Sequence, residues 1–306
     1  MSIGVSMVVK NEAHRVGACF SEIAAEVDSV VVVDTGSTDD TVGMLQREFG
    51  ISAIKADPYA TDPDVITHAR NLSLEHNDCD WVLVLDADET VTASDVARLK
   101  EITAESRDDA YFLTWRNARG GGHFDDYKLA LFRNGLGIRF DGLVHCNPQP
   151  SLRRLGLEAK LLPEIAIAHS LEERSPFRTK RKDRLARYAA DDPQWWRYQW
   201  FLGYTYFKEN DFENAVPLLR DTCNSLSADF PVECLNAHIV LTDLNARKGI
   251  HDKCFRIMRQ AASFYEQVKD DFEVKANRQM GAWIAEAVDL INQNKLEAVR
   301  SYEFAY

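Results

Sequence analysis

The chain has no CxxC pair. Its six cysteines, Cys19, Cys79, Cys146, Cys223, Cys234 and Cys254, are scattered along 306 residues, which suits reduced thiols in a cytoplasmic protein, most of them small buried hydrophobes. It has no apolar stretch near the roughly 20 residues that a membrane-spanning helix needs. The best runs are short, Ser29 to Val33 and Trp81 to Leu85. The opening MSIGVSMVVKNE has neither a basic segment nor a small-residue cleavage site, so it reads as a strand and not as a signal peptide. Positive charge is scarce. Thirty-six Lys and Arg face 48 Asp and Glu, a net of −12, which makes non-specific attraction to nucleic acid or anionic membrane a poor default. A glycine-rich phosphate loop is also missing. Lys10-Asn11-Glu12 follows the first strand-like run, which excludes the dinucleotide-binding fingerprint, and the P-loop pattern is absent as well.

What the chain does have is enough apolar material, 45% of residues, to fill two cores. Ile3 to Val9, Ser29 to Asp34, Ser52 to Ala56 and Trp81 to Asp86 read as strands. Each is nearly continuous in Val, Ile and Leu, as strands covered on both faces must be. Helical patterns lie between them. Val16, Phe20, Ile23, Ala24 and Val27 share one face, and Val42, Leu45 and Phe49 another with Ser37 and Thr38 placed as caps. Ser94 is placed to cap a third helix, carrying Val96, Leu99 and Ile102. Strands and helices alternating at this spacing give a parallel sheet with right-handed crossovers. From Ala110 to His169 the texture is aromatic and strand-like, broken by Gly120-Gly121-Gly122 and Gly135-Leu136-Gly137, as in the mixed, loop-rich half of a substrate site. After Ser175 the pattern is helical to about Asn294. Leu202-Gly203, Tyr206, Ala215 and Leu219 are spaced like a tetratricopeptide unit, and Leu241, Cys254, Met258 and Ala261 fit a degenerate second copy. The expected domains are residues 1–172, α/β, and residues 173–306, all helical.

The strongest local feature is Val82 to Glu89, a buried strand ending in three acids. On extended backbone Asp86 and Asp88 point the same way, into the space at the carboxyl end of the sheet where ligands of open α/β sheets bind. Two like charges so placed repel unless a cation sits between them, and Mg²⁺ or Mn²⁺ is commonly held by one or two carboxylates plus substrate phosphates. The plain alternative is a helix start decorated with acids. Asp34, in Val33 to Thr41, again puts an acid at a strand end before a sharp turn through Gly36.

In this order and spacing SMVVKNEAHRV, VVVDTGSTDDT, HARNLSLEH and WVLVLDADE resemble the donor-binding motifs of family 2 glycosyltransferases with a GT-A fold. That is a nucleotide-diphospho-sugar transferase fold with a Rossmann-like mixed sheet. FRNGLGIRFDGLVH resembles the acceptor-side segment of the subgroup that carries tetratricopeptide-like repeats. The resemblance covers residues 1 to about 170, and the helical half matches loosely. It implies that Glu12 and Asp34 contact the nucleoside, that Arg70 with Asn71 orients base or diphosphate, and that Asp86 touches ribose while Asp88 ligates the metal. It also implies a nucleotide-diphosphate sugar donor, UDP first, and inversion by direct displacement. Lys10 stands where many relatives have an aromatic ring, and Asp40 replaces a common glycine.

Enzymes of this fold often complete the metal shell with a late histidine, for which His169 is the first choice and His145 the second. Asp141 is the best placed base for the acceptor proton, since Cys146 occupies the position just after His145 where relatives frequently carry an acid. Seven basic residues between Arg174 and Arg187 either hold an anion or form a solvated helix face. Trp195, Trp196, Tyr198 and Trp200 either stack on a ligand or, as aromatics at helical spacing usually do, fill a core. The acceptor, presented by the helical half, is a protein, a saccharide or a modified nucleobase, and exposed repeat faces suggest pairing of copies. Two rivals stand beside this reading. One is a non-catalytic tetratricopeptide-type interaction protein with an inactive α/β half. The other is sugar nucleotidyl transfer, which needs an N-terminal phosphate loop rich in glycine and arginine that is not present.

Overall fold

Seven residues, Ile3–Val9, five of them with apolar side chains, make strand β1, and all but Val8 are buried. In the computed structural model, which describes residues 1–56, 64–119, 122–142, 145–170, 181–191 and 196–304, this strand lies in the first of two compact units, Met1–Glu172 and Glu173–Tyr306. Strand β2, Ser29–Asp34, runs parallel to β1 on one side, and β3 is only Ile54–Lys55, shorter than the run from Ser52 to Ala56 suggested. On the other side of β1 lies β4, Trp81–Val84, also parallel. The helices α1 (Val16–Ile23), α2 (Thr41–Phe49) and α3 (Asp64–Glu75) connect these strands. On α1 the buried residues are Val16, Cys19, Phe20 and Ile23, a stripe at helical spacing that joins Met7, Leu45, Trp81 and Leu83 in the core.

Beyond β4 the sheet becomes mixed. Short β5 is Glu89–Thr90, β6 is Ala110–Arg119, β7 is Gly122–Arg133 and β8 is Ala159–Ser170. The last three extend well past the apolar stretches that mark them in the sequence. The strand order is β3-β2-β1-β4-β7-β6-β8-β5, with β7 antiparallel to β4 and β6, β8 parallel to β6, and β5 antiparallel to β8. Helices α4 (Ala93–Glu105) and α5 (Gln149–Leu155) complete the unit.

Two capping expectations are corrected. Thr92, not Ser94, caps α4 by accepting a bond from the Asp95 N–H. Helix α2 begins after Asp40 with no side-chain cap. Ser37 and Thr38 instead stitch two loops together: the Ser37 hydroxyl accepts the Asn11 N–H at 2.9 Å, and the Thr38 N–H donates to Asn11 Oδ1 at 2.7 Å. The loops after β1 and β2 are thereby locked to each other at the carboxyl edge of the sheet. Gly36 turns the chain there with φ +98°, a conformation that costs glycine little and other residues more.

The second unit is built from α6 (Arg181–Asp191), α7 (Trp196–Lys208), α8 (Phe212–Ser225), α9 (Pro231–Arg247), α10 (His251–Val268), α11 (Phe272–Ala276) and α12 (Arg278–Asn292). Every residue of α9 from Pro231 to Ala246 is buried, so this helix is largely enclosed by its neighbours. Several of its polar groups bond within the helix: Thr242 donates to His238 O, Asn245 to Leu241 O, and Arg247 pairs with Asp243. Gly203 lets α7 approach α8, because a Cβ there would lie 3.1 Å from the Leu219 side chain. Tyr198 and Trp200 are buried, and Trp200 stacks on Tyr204. The aromatic cluster is therefore core, while Trp195 lies outside the described residues. All six cysteines are free and five are buried. No described helix is long and apolar enough to cross a membrane.

Candidate active site

At the end of β4 the chain makes a tight turn in which the Glu89 N–H donates to Asp86 O at 3.0 Å. It then enters β5, where Glu89 pairs with His169 of β8. This register brings His169, 80 positions after Glu89, against the acids. Asp88 Oδ2 lies 3.4 Å from His169 Nε2 and 3.3 Å from Arg15 Nη1. Arg15 also approaches Glu12, Nε to Oε2 3.6 Å.

The orientation of His169 is set from behind. Asn117 donates its amide N–H to Trp115 O at 2.8 Å, which turns its Oδ1 toward His169 Nδ1 at 2.7 Å. An amide oxygen can only accept, so Nδ1 carries the proton and the lone pair of a neutral ring sits on Nε2, facing the Asp88 carboxylate. A lone pair against a carboxylate is favourable only with a cation or a proton between them. The Trp115 ring stacks on the imidazole, centroids 4.7 Å apart and planes at 13°. Asp88 and His169 thus fit one side of a divalent-ion shell, two protein ligands with the rest left to phosphate and water.

Asp86 faces two cations, Arg70 Nη2 at 2.6 Å and Lys128 Nζ at 3.1 Å. Lys128 also binds Glu89 Oε2 at 2.6 Å, and that oxygen accepts the Asp86 N–H at 2.8 Å. Burial works to raise the Asp86 pKa, but Arg70 and Lys128 outweigh it and hold the carboxyl well below the usual carboxylate range. Burial disfavours the charges of Arg70 and Lys128 too, and the facing carboxylates more than offset it, so both are raised. Glu89, wholly buried, is pushed up first by burial and also by the Asp86 charge. Arg70 further lies over the Phe140 ring, 5.3 Å from its centroid.

The remaining sequence candidates divide. Asp34 ends β2, almost fully buried, and accepts the N–H groups of Gly36 and Ser37 at 3.1 to 3.2 Å, so it shapes the turn beside the site. Asn71 is occupied differently from the expectation. Its amide donates to Phe140 O at 3.1 Å and accepts the Phe140 N–H at 2.8 Å, which makes it a brace for that segment. Asp141 and Asn147 form a backbone bridge, and the Asp141 carboxylate is paired with Arg154 at 2.8 Å. His145 lies within this loop with φ +52°. It does not join Asp88 and His169 in a cluster, since no group of three His, Cys, Asp or Glu able to hold a metal occurs among the described residues. Of the basic run, residues 174–180 lie outside the described residues, and Lys182 is taken up by Glu209 at 2.6 Å.

Sequence reasoning missed Arg15, Lys128, Asn117 and the inward role of Glu89. The signal for Lys128 was present as a charge heading the apolar run Leu129 to Phe132. Asn117 carried none, because its partner is 52 residues away.

A family profile described as Glycosyl transferase family 2 matches residues 5–151. The chain is 22% identical over 235 residues to the SPbeta prophage-derived glycosyltransferase SunS of Bacillus subtilis, covering 73% of this chain and 54% of that protein. A TPR repeat-containing protein of Synechococcus elongatus is 31% identical over 144 residues, 47% of this chain and 34% of that one. The chain spans about half the length, or less, of these curated relatives. Among solved structures, that of S. aureus TarS 1-349 in complex with UDP-GlcNAc superposes with a TM-score of 0.52 at 12% identity, covering 94% of this chain and 92% of that one. The mixed sheet has the GT-A architecture.

Proposed function

Residues 5–151 belong to glycosyl transferase family 2, and from that premise we propose that this chain moves a sugar from a nucleoside diphosphate donor to an acceptor nucleophile with inversion. The observation that carries the proposal is the Asp88 carboxylate set 3.4 Å from His169 Nε2 at the sheet's carboxyl edge, with Nδ1 bonded to Asn117 Oδ1. UDP is first among the donors because a chain of this fold was crystallised with UDP-GlcNAc.

Asp88 and His169 would hold Mn²⁺ or Mg²⁺, which when bound supplies Lewis-acid stabilisation of the departing diphosphate. Glu12 and Asp34 border the nucleoside, Asp34 by holding the Gly36-Ser37 turn in place. Arg70 and Lys128 keep Asp86 ionised, so its oxygens remain acceptors for ribose hydroxyls. Asn71 fixes the backbone at Phe140, and Phe140 in turn flanks the Arg70 guanidinium. Asp141, released from Arg154, takes the acceptor proton. The acceptor is a protein, a saccharide or a modified nucleobase.

The test is incubation with a panel of nucleotide sugars and Mn²⁺, reading free nucleoside diphosphate from slow donor hydrolysis. Turnover that vanishes on chelation and in Asp88→Ala is the expected result. Turnover unchanged in Asp88→Ala would sink the proposal, and release of pyrophosphate from a nucleoside triphosphate supplied together with a sugar 1-phosphate would point to nucleotidyl transfer instead.

A further inference from the structure

Away from the α/β site, the concave surface with the clearest chemistry lies wholly in the helical unit, a cleft of about 360 Å³ between α8, α9 and α10. Four cations stand around it, Arg220, Lys248, Lys253 and Arg256, and no acid lines it. All four are exposed, and none pairs with a carboxylate of the described residues. Arg256 donates its Nε to the backbone carbonyl of Asp252. Several other cations of the unit are paired, although Lys295 and Arg300 bond, among the described residues, only to an amide and to backbone carbonyls. Lys182, Lys208, Arg247 and Lys269 each have a carboxylate within 2.7 Å. A cluster of like charges without counter-ions repels itself and attracts an anionic partner.

The rest of the lining narrows the partner. Lys253, Arg256, Ile257 and Gln260 recur at helical spacing on α10, so one stripe offers charge, apolar surface and an amide together. Val216 and Ile250 join Ile257 as half-buried apolar surface above Leu241 and Leu244 of α9, which close the bottom, and Asn224 adds an exposed amide, while that of Asn245 is bonded to Leu241 O. No aromatic ring lines the cleft, which leaves nucleobases nothing to stack on. A bare polyanion would leave the floor uncovered. An extended peptide whose Asp or Glu residues alternate with leucine-like ones meets every feature: carboxylates at the rim, apolar side chains on the floor, backbone groups on the amides.

We propose that this cleft docks a short acidic peptide segment, interleaved with apolar residues, of a partner protein. The proposal does not depend on the sugar-transfer reading, and its test leaves the Asp88 site intact.

The experiment is fluorescence anisotropy on the full chain, with a fluorescein-labelled peptide alternating Glu and Leu as the probe and the same peptide with Lys for Glu as the control. The acidic probe should bind saturably, weakening several-fold between low and physiological salt, and the control should not bind. The double substitution Lys253→Glu with Arg256→Glu should weaken binding about tenfold or more without moving the melting temperature. Lys253→Gln with Arg256→Gln should give a smaller loss in the same direction. Equal binding of the two peptides, or unaltered affinity in both double variants, overturns the proposal. So does polyphosphate that binds more tightly than the peptide and is lost in the same variants. Self-association that those variants abolish would assign the cleft to a second copy and overturn it equally.

Discussion

The two units manage charge in opposite ways. Met1–Glu172 carries 16 Lys and Arg against 28 Asp and Glu, the whole of the net −12, while Glu173–Tyr306 has 20 of each. In the helical unit buried charge is structural. Arg197 and Glu233 pair at 2.8 Å with almost no exposure, the guanidinium lying against the rings of Phe201 and Phe230. In the α/β unit acids gather at strand ends, where Asp86 is held by two cations and Asp88 by Arg15 and His169. The lesson concerns what an acidic domain needs in order to bind a diphosphate. On the proposed function its own surplus would repel a diphosphate, a recruited cation would offset that, and Asp88 is the acid proposed to hold it.

Breaking the comparison at its sharpest point means removing an acid from each unit. Asp88→Ala should lower donor turnover about a thousandfold or more, roughly 4 kcal/mol of barrier, with little change in melting temperature. Nucleoside diphosphate release and a thermal melt read both. Glu233→Ala should do the reverse, leaving Arg197 buried without its counter-ion and destabilising the helical unit by about 3 to 5 kcal/mol, measured by urea unfolding. A destabilised Asp88→Ala protein, or a Glu233→Ala protein as stable as the parent, would erase the distinction between functional and structural acids.

The helical unit also has a pH signature of its own. Burial lowers the His238 pKa from 6.5 to about 4, so the folded state resists a proton that the unfolded chain accepts. Its contribution is complete above about pH 6.5 and declines as pH falls toward 4, by up to about 3 kcal/mol. Urea unfolding of the parent and of His238→Gln at pH 7 and pH 4.5 checks this, and the substitution should flatten the dependence. A smaller effect is expected from Asn117→Ala, which frees the imidazole to rotate. Mn²⁺ affinity, followed by electron paramagnetic resonance, should fall about tenfold to a hundredfold, with the donor-independent fold intact. Smallest of all, Thr92→Ala removes the cap of α4 and should cost about 1 kcal/mol in thermal denaturation, while Ser94→Ala costs less.

Much of the α/β unit was legible in its residues. Ile3–Val9 and Ser29–Asp34 coincide with their strands because a run of Val and Ile covered on both faces has few other ways to fold. The acids at 86 and 88 announced themselves by interrupting such a run. Less visible was β3, reduced to two residues, since its length is set by how far it can pair with β2. Neither Arg15 nor Lys128 stood out, because a single cation in an amphipathic stretch looks like any solvated charge until its partner is known. Ser37 and Thr38 had cap chemistry, yet Asn11 of the neighbouring loop competes for them and wins.

Local pattern thus decided which segments are strands and helices and where strands end in acids, while burial in the fold settled that aromatics such as Trp200 are core. Hydrophobic and backbone periodicity act over a few residues, so one sequence suffices to read them. The closure of β5 onto β8 that sets Asp88 against His169, the Asn117 bond that chooses the imidazole tautomer, and the sharing of Lys128 between Asp86 and Glu89 belong to the tertiary structure. Each joins groups tens of residues apart, and a carboxylate's partner is fixed by distance and burial in space, which adjacency along the chain does not encode.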